Sequence, residues 1–91
     1  IAHSEGFAKG EIHLNQRAVE VLTGEQAVSL LPVGVTRIEG DFEKDDIVCL
    51  MDAHGVRIGV GRVCCDAVEA RSVAGKHGQR PLIHYDYLYL E

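Results

Sequence analysis

Of the whole chain, Ser29 to Asp46 (SLLPVGVTRIEGDFEKDD) limits the fold most. Leu30 and Leu31 form an apolar pair that stops at Pro32. The proline ring cannot continue a helix and pushes Leu31 into an extended conformation. Gly34 frees the backbone where a Cβ would restrict it. Val35 to Glu39 alternates loosely, in the manner of a strand in a small barrel. Gly40 and Asp41 break that run, Phe42 turns an aromatic ring inward, and Glu43 to Asp46 make a charged turn. The apolar run Ile47 to Met51 begins at once. A short strand, a tight turn and a second strand, entered through a proline corner, describe a compact β-barrel module. The expected core is Leu30, Leu31, Val35, Phe42, Ile47, Ile58 and Val60, the apolar positions that flank the corner and the hairpin.

The elements on either side fit such a module. Ile1 to Lys9 has little periodicity and reads as a linker from an upstream domain, with residues 10–91 as the domain proper. Glu11 to Leu14 alternates, which predicts a first strand with Ile12 and Leu14 facing inward. Asn15 is placed to cap a helix over Gln16 to Leu22, with Gly24 just past its end. Ile47 to Met51 reads as a strand buried on both faces. Asp52-Ala53-His54-Gly55 predicts a hairpin turn with Gly55 at positive φ. Arg57 to Cys65 is the return strand, and Gly59 and Gly61 inside it mark a bulge or a close backbone approach. Asp66 caps a second short helix, Ala67 to Arg71. Gly75 and Gly78 loosen the next loop, and Pro81 opens a last strand, Leu82 to Leu90. The sum is a mainly β fold of about five or six short strands and two short helices.

Length and charge narrow the function classes. Ninety-one residues make one domain. No apolar run approaches the roughly 18 residues of a membrane span, and no signal peptide is visible. The chain opens on isoleucine, which reads as a piece of a longer protein, and Leu90-Glu91 is either native or a tag remnant. Nine basic side chains face 14 acidic ones, for a net charge of −5, which disfavours non-specific binding to a phosphate backbone. Cys49, Cys64 and Cys65 are odd in number and lack metal-site spacing, which points to a reducing, cytoplasmic compartment.

No catalytic, cofactor-binding or metal site is expected. The five histidines are scattered, and Asp41, Glu43, Asp45 and Asp46 lack a calcium-loop pattern and read as a solvated turn. His84 is expected to satisfy a backbone group. Cys64 and Cys65 are adjacent, so in a strand they point to opposite faces. Two sets of residues remain as a candidate RNA or partner surface. Tyr85, Tyr87 and Tyr89 alternate and would line one face of a straight strand, where tyrosine suits core packing, a protein contact or base stacking. Arg57, Arg62, Lys76 and Arg80 would form a basic edge if the fold brought them together.

The order of these elements resembles the PUA domain, in the form found at the C-terminus of bacterial glutamate 5-kinases. The resemblance is carried by Gly10-Glu11-Ile12, Ala18, Ser29-Leu30-Leu31-Pro32 with Gly34-Val35, and Glu39-Gly40-Asp41-Phe42. It continues through Asp52 to Ile58, Gly61, Ala74-Gly75, His84 and Asp86. It implies a PUA-like pseudo-barrel of mixed strands with two helices. It further implies a non-catalytic domain that supports the oligomer or regulates the enzyme. The parent's upstream amino-acid-kinase domain would use ATP and Mg to phosphorylate the glutamate γ-carboxylate in proline biosynthesis. The rival implication, from PUA modules of tRNA- and rRNA-modifying enzymes, is RNA binding, which the net charge disfavours. Four departures stand out. Asp45 replaces a glycine, Cys64-Cys65-Asp66 replaces a tyrosine-led pattern, the segment Lys76 to Leu82 is shortened, and Tyr85 replaces an arginine between His84 and Asp86.

Overall fold

The computed structural model describes residues 8–91; residues 1–7 of the expected linker lie outside them. Five strands form one sheet: β1 Gly10–Leu14, β2 Val35–Gly40, β3 Ile47–Met51, β4 Arg57–Arg62 and β5 Leu88–Leu90. Two helices, α1 Gln16–Leu22 and α2 Ala67–Val73, and two 3-10 turns, Pro32–Gly34 and Tyr85–Tyr87, complete the chain. The strand order is β2-β1-β3-β4-β5. β1 runs parallel to β3 and antiparallel to β2, while β4 runs antiparallel to both its neighbours, β3 and β5.

Local chemistry explains both helices. The Asn15 side chain accepts a hydrogen bond from the Ala18 N–H at 2.8 Å, and that of Asp66 from the Glu69 N–H at 2.8 Å. Each satisfies an amide that the first turn leaves without a partner. At the corner, Leu31 is extended (φ −94°, ψ 146°) and Pro32 opens a 3-10 turn. Gly34 serves a purpose other than backbone freedom. A Cβ there would stand 2.5 Å from the Ala18 Cβ, so the glycine lets the corner close on α1.

The turn before β3 shows why Asp45 can replace a glycine. Its φ is +75°, a left-handed conformation that aspartate tolerates better than most residues. The Asp46 carboxylate braces the turn by accepting from the Glu43 N–H at 2.8 Å. In the β3–β4 hairpin, Gly55 takes φ +79°. The Asp52 carboxylate accepts from the His54 and Val56 amides at 2.8 and 2.9 Å, and that from Val56 does most to hold its pKa below the ordinary value.

The core is built from Ile12, Leu14, Leu30, Val35, Ile38, Phe42, Val48, Leu50, Val63, Leu82 and Ile83, closed by Ala67 and Ala70 of α2. Val35 and Ile38 are three residues apart, yet both point inward. A bulge in the β1–β2 ladder between His13 and Leu14 shifts the phase.

The expected core is only partly met. Leu31 is 48% exposed, not core. Ile47 and Val60 are only half-buried, and Ile58 packs at the margin of the core. The inward face of β4 is its glycine face, Gly59 and Gly61, continued by Val63. Ile83 occupies the space a side chain at Gly61 would need, with its Cδ1 2.8 Å from the position of a Cβ. β3 is therefore buried on one face only, through Val48 and Leu50.

Candidate functional site

The structure separates Arg57 from Arg62. Arg57 opens β4 and Arg62 closes it, about 17 Å apart along an extended strand. Arg57 pairs with Glu91 at 3.0 Å, and its guanidinium is held charged first by a hydrogen bond to Cys49 and then by the Glu91 carboxylate. Arg62 lies 3.9 Å from an Asp45 carboxylate oxygen. Lys76 and Arg80 sit in the loop after α2, and both are exposed. Two of the four cations already face carboxylates.

The tyrosines do not share one strand either. Leu82 to Leu90 is not a continuous strand. Leu30 and Ile83 form an isolated antiparallel bridge, Tyr85 to Tyr87 coil into a 3-10 turn, and only Leu88–Leu90 pair with β4. His84 causes the break. Its Nδ1 accepts from the Asp86 N–H at 3.4 Å and its carbonyl from the Tyr87 N–H at 2.9 Å. The expected role of His84 as a backbone partner is met.

The turn gathers a different cluster. The His84 and Tyr85 rings lie 4.5 Å apart between centroids, and the His84 and Tyr87 rings 6.4 Å apart. The Arg62 guanidinium rests 3.9 Å above the Tyr87 ring, an attraction of about 0.5–1 kcal/mol at an exposed site. Tyr85 is 48% and Tyr87 38% exposed. Tyr89 projects nearby from β5, opposite Val60. Of the seven candidate residues, Arg62 and Tyr87 are in contact and Tyr85 joins them through His84, while Arg57 lies at the far end of β4.

Two concave regions were not legible in the sequence. A largely apolar groove of about 240 Å³ runs between α1 and the proline corner, lined by Ala18, Val21, Leu22, Leu31 and Val33. The exposure of Leu31, expected in the core, supplies one of its walls. A second cavity of about 490 Å³ lies beside α2, with Cys64, Cys65, Glu69, Arg80 and His84 on its walls. Both cysteines face it, contrary to the expectation of opposite faces. β4 ends at Arg62 and the chain bends at Cys64-Cys65, so strand alternation no longer applies.

Burial, followed by the negative charges of Glu69 and Asp66, pushes the Cys65 thiol up to about 11. It therefore stays protonated at neutral pH, and the nucleophilic thiolate appears only as pH approaches that value. Iodoacetamide at pH 8 is expected to alkylate exposed Cys64 first and leave Cys65 largely free, as read by peptide mass spectrometry. Equal rates at the two positions would contradict this placement.

The PUA domain model matches residues 10–85. The chain belongs to the PUA domain family. The PUA domain described here is 62% identical over 91 residues to a glutamate 5-kinase of Bacteroides thetaiotaomicron, covering 100% of this chain and 25% of that protein. It is 48% identical over 91 residues to a glutamate 5-kinase of Chlorobaculum tepidum, covering 99% and 25%. The chain thus spans about a quarter of the length of the curated relatives it matches. Among solved structures it is similar to a PUA domain from Aeropyrum pernix K1, solved as a tartrate complex, at TM-score 0.68 and 21% identity. That match covers 84% of this chain and 41% of the other. It is also similar to a chain of the archaeal box H/ACA sRNP Nop10-Cbf5 complex, at TM-score 0.61 and 15% identity, covering 90% and 23%. At these identities the likeness concerns the fold. The mainly β fold with two helices is as expected.

Proposed function

We propose that this PUA domain is the non-catalytic C-terminal domain of a glutamate 5-kinase, and that it supports the oligomer or the regulation of that enzyme. The observation that carries the reading is the 62% identity along the whole chain to a glutamate 5-kinase. In this reading the kinase domain lies upstream in the same cytoplasmic protein and phosphorylates the γ-carboxylate of glutamate with ATP. ATP and Mg belong to that domain. Phosphoryl transfer needs a phosphate cradle and carboxylates grouped around a metal. Among the described residues no three histidines, cysteines or acidic side chains are grouped to hold a metal ion. The test is an assay of the intact protein for glutamate-dependent ATP turnover, with the acyl phosphate trapped by hydroxylamine. Activity with glutamate and none without it is expected. An intact protein without glutamate-dependent turnover would overturn the reading.

Nucleic acid is the rival partner. Binding by counterion release needs segregated cations. Here Arg57 and Arg62 are paired with Glu91 and Asp45, and the net charge is −5. Affinity for tRNA near physiological salt is therefore expected to be weaker than about 100 µM, the weak end of non-specific binding. A titration of labelled tRNA at two salt concentrations measures it. Micromolar binding with a steep salt slope, lost in an Arg62→Ala/Arg80→Ala double variant, would favour the RNA-binding reading.

A further inference from the structure

We infer that the cluster of Arg62, His84, Tyr85 and Tyr87 is the surface on which the upstream domain of the intact protein docks. The inference rests on the reading above that this chain is one domain of a longer kinase.

Three observations carry it. The first is the character of the patch. Two tyrosines at 48% and 38% exposure, tilted against a histidine and with an arginine over one of them, are the residue types that anchor protein interfaces. Arg62 is 41% exposed, and its 3.9 Å pairing with Asp45 is longer than a hydrogen bond, so its N–H groups can still donate to a carbonyl or carboxylate of a partner. The second is position. The described backbone begins at the same end of the sheet, where the Lys9 N–H donates to the Ile47 carbonyl at 2.8 Å. Ile47 lies directly opposite Arg62 in the β3–β4 ladder. Lys9 and Arg62 are therefore two strand spacings apart, about 10 Å. The third is what is tethered there. The relatives carry three quarters of their length outside the matched region. A domain tethered in the same chain meets a neighbouring surface at an effective concentration that reaches the order of millimolar when the linker is short, and a modest patch then suffices to hold it. The rigid ladder from Lys9 through Ile47 to Arg62 fixes the patch relative to the tether.

The partner is a face of the preceding domain that offers apolar contact to the tyrosine rings and an acceptor to Arg62. Hydroxyl-radical footprinting of the intact protein, read by mass spectrometry, tests this. Tyr85 and Tyr87 are expected to be protected at least fivefold relative to exposed Val56 on the distant hairpin, after correction for intrinsic reactivity. Arg62→Glu is expected to raise the labelling of both rings. Tyr85→Ser, a surface change on the 3-10 turn, is expected to raise that of Tyr87 and serves if the first variant folds poorly. Reaction of both tyrosines at the level of free surface residues in the wild-type protein, unchanged in either variant, would overturn the inference. So would protection that appears only when tRNA is added. Glutamate-dependent turnover measured on the same samples separates the two readings. Activity without protection removes the docking surface alone, whereas protection without activity removes the kinase reading alone.

Discussion

Phe42→Ala is expected to destabilise the domain by about 3–5 kcal/mol, the range for truncating a fully buried aromatic ring. Phe42 is 1% exposed and is among the largest fully buried side chains. It sits where three parts of the chain meet. Its carbonyl accepts from the Ala67 N–H at 2.9 Å at the start of α2. Its ring lies where a Cβ on Gly10 would touch it, 2.8 Å away. Because β1 and α2 both close around it, the cavity left by alanine cannot collapse without moving one of them. Chemical denaturation measures the loss, and a value under about 1 kcal/mol would mean that the ring is not the centre of the core. For a chain of 91 residues, a loss of that size is a large fraction of the total stability, typically about 5–15 kcal/mol.

The next largest effect is expected at Gly59. A Cβ there would stand 2.5 Å from the Tyr89 carbonyl oxygen and 2.9 Å from the Leu90 Cα. Both are backbone atoms, which cannot swing aside as a side chain can. Gly59→Ala must therefore push β5 away from β4 and break the pairing of Gly59 with Leu90. Overpacking of this kind costs about 1–3 kcal/mol. Gly24→Ala is the control. Its Cβ would meet nothing closer than 3.4 Å and its φ is ordinary, so the change is expected to stay within about 0.5 kcal/mol. Equal denaturation midpoints for the two variants would show that β5 is not held against β4 as described. Because Tyr89 lies on β5, Gly59→Ala also separates the stability of that strand from the integrity of the Arg62–Tyr87 contact one residue before it.

The pattern of what was legible follows from the range of the interactions involved. Asn15 and Asp66 were readable as caps because a cap depends on a side chain and an amide three residues on. The Asp52–Gly55 hairpin and the extended Leu31 were readable for the same reason, since sterics within a few residues decide them. Two alternations in the sequence misled. On β4, isoleucine and valine alternate with glycines, and hydrophobicity alone assigns the larger residues to the core. The fold does the reverse, because the space above Gly61 is filled by Ile83 and the backbone of β5 closes on Gly59, from more than 20 residues away in the chain. Tyr85, Tyr87 and Tyr89 alternate too, yet His84 coils the first two into a turn. Local motifs carried the family, the corner, the caps and the turns. The packing of distant segments settled which face of β4 is core, that Leu31 lines a groove, and that Arg62 meets Tyr87 at the opposite end of β4 from Arg57. Those outcomes depend on contacts between segments distant in sequence, which no local propensity encodes.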